Sequence, residues 1–363
     1  MPAVPNARLV FNEVPQGYPE PGKTTVYDAS PTIDPENVPL NGGYLLKVLV
    51  VSVDPYLRGK MRDPKIKSYS VSSRFDFGSR GASNLISLKP AFVIGEPLYN
   101  YGVGVVLRSE LDGVKTGDHI YGILPFEQYK VIPNLQGYRI LKNEAKIPWS
   151  LYVGLAGMPG KTSYYGWNEY SLAKKGDTVF VSGGAGPVGS IVIQFAKAEG
   201  LKVITSAGSD QKVEFVKSLG ADVAFNYKTT KTSEVLQKEG PIDVYWDNVG
   251  GETLEAALEH ASDGARFIEC GMISGYNGTV YPVKNLIQIV SRQIKLTGFL
   301  SFNPYLVGKY EEPFYEEIPK RLASGEIKYT EDLTHGLENA GKAILDVQTG
   351  KNVGKSVVIV SQD

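Results

Sequence analysis

The apolar positions change rhythm along the chain. Up to about residue 147 they fall in short runs rich in β-branched and aromatic residues, at 44–53 (YLLKVLVVSV), 101–107 and 119–123, separated by turn pairs such as Asp112-Gly113 and Gly117-Asp118. This predicts an irregular β-barrel or sheet. From about residue 148, apolar runs alternate with amphipathic segments at the spacing of repeated βαβ units, which predicts a parallel sheet covered on both faces. Strands are expected at 178–182, 202–206, 222–226, 244–247, 266–270 and 294–299, and helices at 188–198, 211–219 and 252–260. The helix 315–323 and the strand 356–360 are expected to return to the first domain. The chain therefore reads as an α/β protein with a β-rich domain over 1–147 and 319–363 and a doubly wound domain over 148–318.

The first of these strands runs into Gly183-Gly184-Ala185-Gly186-Pro187-Val188-Gly189 and then into an amphipathic helix. Glycines at this spacing give a tight turn, a close backbone approach for a pyrophosphate and close helix–strand packing. Pro187 suits a first helical position, where no N–H is needed. The helix N-terminus then offers free amides and a partial positive charge to phosphate. On its own the motif is no more than a glycine turn, but six strands alternating with helices make it a dinucleotide site.

A carboxylate at the end of the second strand would bind the ribose 2′-hydroxyl of NAD. That place holds Ser206-Ala207-Gly208-Ser209 instead, so a 2′-phosphate is not repelled. Lys212 can pair with it and Tyr227 can donate to it, which favours NADPH. Lys212 read alone is equally a solvated helix residue. Asp210 is the remaining acid nearby, at a position expected to cap the helix.

Composition narrows the function further. A net charge of −1 leaves no cationic surplus for nucleic acid. No apolar stretch is long enough to span a membrane, and residues 1–15 lack a basic-then-apolar leader pattern, so a cytoplasmic location is expected. One cysteine, Cys270, and three histidines, His119, His260 and His335, form no metal-ligand spacing, so no metal is expected. Cys270 reads as a small buried residue at a strand end, with a reactive thiol near the cofactor as the alternative. His119 reads as scaffold.

Several segments in order resemble one family: Val53-Asp-Pro-Tyr-Leu-Arg-Gly59, Gly157-Met-Pro-Gly-Lys-Thr-Ser-Tyr-Tyr-Gly166, the loop Gly183 to Ser190, Asp247-Asn-Val-Gly-Gly251 and Gly271-Met-Ile-Ser-Gly-Tyr-Asn277. Together they resemble the zinc-independent medium-chain dehydrogenase/reductases, in the alkenal double-bond reductase and prostaglandin reductase (leukotriene B4 12-hydroxydehydrogenase) branch. The likeness runs from about Asn41 to Val360. It implies a GroES-like substrate domain, a Rossmann domain, NADPH, a homodimer, and reduction of the carbon–carbon double bond of α,β-unsaturated aldehydes or ketones. Carried over by residue, it implies cofactor contacts at Gly183 to Gly189, Lys212, Tyr227 and Asn248. Cys270, Met272, Ser274, Tyr276, Phe299, Leu300, Ser301 and Asn352 would line the nicotinamide side.

Reduction of an enal or enone leaves negative charge on the carbonyl oxygen, and a neutral phenol can stabilise it. Tyr276 resembles the family's active-site tyrosine, and Tyr56 its other substrate-side tyrosine. Asn248 is alternatively a turn former before Gly250-Gly251, while Asp54 and Arg58 read as structural, paired across their turn. Two other functions use the same features: a quinone reductase, and a non-catalytic NADPH-binding protein. The chain departs from the family pattern at 71–89, a serine-rich stretch that reads as a surface loop, a disordered insertion or sequence outside the usual coding frame.

Overall fold

The computed structural model describes residues 3–66 and 91–363, so the 71–89 stretch lies outside the described residues. The chain forms two units: residues 1–153, 332–352 and 356–363 make the first, and residues 154–331 and 353–355 the second. Among the described residues, no helix is long and apolar enough to cross a membrane.

The first unit is built on a seven-stranded sheet whose path runs Glu331–His335, Lys355–Ile359, Tyr44–Ser52, Tyr99–Ser109, His119–Pro125 and Arg139–Leu141, with Tyr129–Ile132 also pairing to Tyr44–Ser52. The pairings made by Tyr44–Ser52, to Lys355–Ile359, Tyr99–Ser109 and Tyr129–Ile132, are antiparallel. This central place explains the near-continuous apolar run of the strand. Tyr44, Leu46, Val48 and Val51 enter one core with Phe92, Leu124, Phe126 and Ile344, and Leu45 and Leu49 on the opposite face are buried too.

In the second unit, six parallel strands lie in the order Val223–Asn226, Lys202–Ala207, Thr178–Val181, Ile242–Asp247, Ala261–Glu269 and Lys295–Gly298. In chain order that is 3-2-1-4-5-6, the doubly wound arrangement, with its switch point between the first and fourth strands. Phe180, Tyr245 and Phe267 on neighbouring strands pack ring to ring in the core, Phe180 and Tyr245 at 5.3 Å.

One helix departs from expectation. The segment expected to return with the first domain is the end of a longer helix, Pro304–Ala323, which belongs to the second unit. Its buried side chains Leu306, Phe314, Ile318 and Leu322 require an apolar partner, and the aromatic helix Met158–Tyr170 provides one. Tyr164 meets Phe314 at 5.7 Å between ring centres and donates to Glu317 at 2.9 Å, while Lys161 pairs with Glu311. The units accordingly divide at 153/154 and 331/332 rather than near 147 and 318.

Candidate nucleotide-binding and active site

The C-terminal ends of the parallel strands carry the sequence-predicted residues of the second unit, around the switch point where doubly wound sheets bind ligands. The helix after the first strand is Pro187–Ala198, with Pro187 at its start and Gly186 as its cap residue. The left-handed turn falls on Gly183 (φ 61°), one residue earlier than the first glycine of the spaced motif. Gly184 is required for a different reason: a β-carbon there would stand 1.9 Å from Thr205 Oγ1. Gly189 packs as expected, its β-carbon position only 2.7 Å from the Gly184 α-carbon. Gly186 faces open space, with nothing nearer than the Gly183 carbonyl at 3.6 Å. Close packing beneath and open space above make a cradle that fits a pyrophosphate on free helix amides.

Hydrogen bonds fix this loop to its neighbours. The Gly184 amide donates to the Ser206 carbonyl at 2.9 Å, and the Gly183 amide to the Ser206 hydroxyl at 3.3 Å. From the fourth strand, Asn248 Nδ2 donates to the Ser182 carbonyl at 2.7 Å and Asn248 Oδ1 accepts from Trp246 Nε1 at 3.2 Å. Asn248 is thus a tie between two loops as well as the start of a turn. Ala185 and Val188 lie within the loop and first helical turn, partly or fully buried.

At the end of the second strand, the cap of the helix Asp210–Ser218 is Ser209, which accepts from the Lys212 amide at 3.4 Å. The expected cap, Asp210, instead accepts from Asn226 Nδ2 at 2.9 Å, because it is already inside the helix and faces the third strand. Lys212 in the first turn and Tyr227 after the third strand flank this strand end. The Tyr227 ring lies over Gly208, its hydroxyl 2.9 Å from where a β-carbon would stand.

The loop after the fifth strand is folded onto the turn after the fourth. The Cys270 and Gly271 amides both donate to the Asp247 carbonyl at 3.0 Å, Ile273 donates to the Asn248 carbonyl at 3.3 Å, and the Ser274 hydroxyl to the Val249 carbonyl at 2.6 Å. Gly250 (φ 69°) and Gly251 (φ 58°) allow Met272 and Ser274 to lie against that turn. Tyr276 closes the short helix Ile273–Gly275, and its phenol oxygen turns back over Gly271, 3.5 Å from that residue's β-carbon position. Burial first, then the charges of Asp247 and Glu269, push the Cys270 thiol up to about 12, so the reactive-thiolate alternative has no support. After the sixth strand come Phe299, Leu300 and Ser301. The Phe299 ring packs against Trp246 at 5.8 Å and Tyr170 at 5.5 Å.

Tyr56 and Asn352 belong to the first unit. Tyr56 donates its phenol proton to Asn100 Oδ1, while Asn100 Nδ2 donates to Asp54 at 2.9 Å and to the Ser52 carbonyl at 2.8 Å. Asp54 and Arg58 are not paired across their turn. Asp54 is held by Ser52 and Asn100, whereas Arg58 points the other way and donates to the Gly17 carbonyl at 2.8 Å. His119 stacks on Trp149 at 3.9 Å and meets the Asp363 carboxylate at 2.9 Å, a scaffold role. Among the described residues no group of three or more His, Cys, Asp or Glu is placed to hold a metal ion.

Sequence reasoning assigned no role to the residues that brace the loops from below: Ser182, Thr205 and Asp247. A side-chain hydroxyl or acid at the C-terminal end of a buried parallel strand was the available signal.

Residues 187–317 match the family model described as zinc-binding dehydrogenase, a segment that lies within the second unit. The chain is 36% identical over 368 residues to a 2-alkenal reductase (NADP(+)-dependent) of Nicotiana tabacum, covering 99% of each chain. It is 39% identical over 334 residues to (+)-pulegone reductase of Mentha piperita, covering 89% of each. Among solved structures it resembles CurA of Vibrio vulnificus in complex with NADPH, with a TM-score of 0.84 and 30% identity over 98% of this chain and 100% of that one. Fold, glycine cradle and near full-length likeness together place the chain in the medium-chain dehydrogenase/reductase family.

Proposed function

We propose that this protein reduces the carbon–carbon double bond of α,β-unsaturated aldehydes and ketones, taking its electrons from NADPH. The coarser statement, that it is an NADPH-dependent oxidoreductase, rests on the relatives and on the fit of the cradle. The observation that carries the finer one is the position of Tyr276, whose phenol is folded over Gly271 in the loop after the fifth strand, which lies on the turn after the fourth.

When bound, NADPH supplies a hydride for the β-carbon. The loop Gly183 to Gly189 and the first amides of the helix Pro187–Ala198, those of Val188 and Gly189, hold the pyrophosphate. Lys212 and Tyr227 hold the 2′-phosphate, with no acid at the strand end to repel it. Asn248, Cys270, Met272, Ser274, Phe299, Leu300 and Ser301 shape the nicotinamide end. Tyr276 donates to the substrate carbonyl oxygen, where charge develops as the β-carbon is reduced, and a neutral donor already in place costs no reorganisation at that moment. Tyr56 is assigned to the substrate on the family resemblance alone. The test is a panel of enals, enones and quinones assayed with NADPH and NADH, with products identified. Saturated aldehydes and ketones formed with NADPH support the reading; turnover of quinones alone, or binding without turnover, would replace it.

We also propose a homodimer formed through the edge strand Lys295–Gly298. Its Leu296 is 39% exposed, and the adjoining helix Ile287–Ser291 leaves Ile287 and Val290 68% and 73% exposed. Leu296→Lys should shift the mass in solution toward the monomer.

A further inference from the structure

The fourth and fifth strands of the parallel sheet end side by side in two acids. Asp247 and Glu269 are register partners, 0% and 9% exposed. Two adjacent carboxylates in such a place repel each other and lose their hydration, so both cannot be charged without a cation between them. Among the described residues, no Lys, Arg or His pairs with either acid. Tyr245 and Cys270 are held neutral, the register partner of Glu269 on the sixth strand is Gly298, and the first strand offers the hydroxyl of Ser182.

The two acids are unequally served. Asp247 Oδ1 accepts from Val249 N at 2.7 Å, Gly250 N at 2.8 Å and Ser182 Oγ at 3.0 Å. Neither oxygen of Glu269 receives an N–H or hydroxyl from another described residue, whereas the Asp247 side chain also has the Tyr245 phenol beside it. Donors on one acid favour its charged form, and their lack on the other favours the acid form. Burial, then the Asp247 charge, then a hydrogen bond to the Asp247 side chain raise Glu269 to about 9. A hydrogen bond between two carboxyl groups needs one proton, and the donor pattern puts that proton on Glu269.

We propose that Glu269 is a positioning residue, which holds a proton at neutral pH and donates it to Asp247, thereby fixing the 248–251 turn beneath the nucleotide loop. The turn is what it steadies: Asn248 donates to the Ser182 carbonyl, and Val249 Cγ2 lies 3.6 Å from the β-carbon position of Gly183. Loss of the proton would put a second negative charge under the site for a pyrophosphate. The consequence for affinity rests on the reading that this cleft binds NADPH; the carboxyl pair itself does not.

The experiment is infrared titration of the nucleotide-free protein beside NADPH binding from pH 6 to 10. The expected result is a protonated-carboxyl band that persists at pH 7, disappears near pH 9 and is missing from Glu269→Gln. NADPH affinity should weaken roughly five-fold or more across the same rise in wild type, relative to the Gln variant. Asp247→Asn provides a second variant, in which removing the neighbouring charge should move the band's disappearance to lower pH. No band at pH 7, or a band unchanged in Glu269→Gln, overturns the proposal. A band present in protein that does not bind NADPH would sink the proposed function alone, and binding without the band would sink only the role of Glu269.

Discussion

The phenol oxygen of Tyr276 lies over Gly271, 3.5 Å from the place a β-carbon would take, in the loop after the fifth strand of the parallel sheet. On the proposed reading, this phenol is the neutral donor offered to the substrate carbonyl. Replacing it by Phe keeps the ring and removes the proton. Tyr276→Phe should lower kcat by about one to three decades, the range seen for loss of an oxyanion donor. Stopped-flow hydride transfer at the wild-type rate would remove Tyr276 from the mechanism.

Lys212 stands in the first turn of the helix Asp210–Ser218, beside a strand end without an acid. If it pairs with the 2′-phosphate, Lys212→Ala should raise the Kd for NADPH about ten-fold or more and leave NADH binding nearly unchanged. Calorimetric titration with both nucleotides checks this. Equal weakening of the two would mean that Lys212 does not read the 2′-phosphate.

Gly184 has no room for a side chain, since a β-carbon would stand 1.9 Å from Thr205 Oγ1 and 2.9 Å from Ile193 Cδ1. Gly184→Ala should therefore cost about 2 kcal/mol of stability or more, together with nucleotide affinity. Denaturant unfolding gives the stability. Gly186→Ala, at a position facing open space, should spare stability and weaken nucleotide binding only.

The stability of the protein should also report the buried carboxyl pair. Glu269 is raised from its ordinary value of 4.5 to about 9, so the native state binds a proton that the unfolded chain has lost. The stability this confers is full below about pH 4.5 and is lost as the pH rises toward 9. Glu269→Gln should flatten that decline. Melting temperatures measured across the window, with parallel slopes for the two proteins, would argue against it.

Much of this was legible in the sequence because the signals are local. The glycine loop, Pro187 at the start of its helix, and the strands now seen at Thr178–Val181, Lys202–Ala207 and Val223–Asn226 all follow from short patterns. The helix Met158–Tyr170 was hidden by Pro159, Gly160 and Gly166. Their use is tertiary: a β-carbon on Gly160 would strike the Leu155 carbonyl, and one on Gly166 would strike the rings of Phe299 and Trp246. The helix Pro304–Ala323 was cut short in the same way, because Pro313 lies within it while its buried face holds it to Met158–Tyr170. Which loop glycine takes the left-handed turn, and that Asp247 and Glu269 meet, depend on strand register, which no single segment encodes.

The most direct test of the account is to follow the label from NADPH deuterated at the transferred position into 2-nonenal. The account predicts nonanal carrying one deuterium on its β-carbon. An allylic alcohol with deuterium on the carbonyl carbon, or recovery of unlabelled 2-nonenal with the nucleotide unspent, would contradict it.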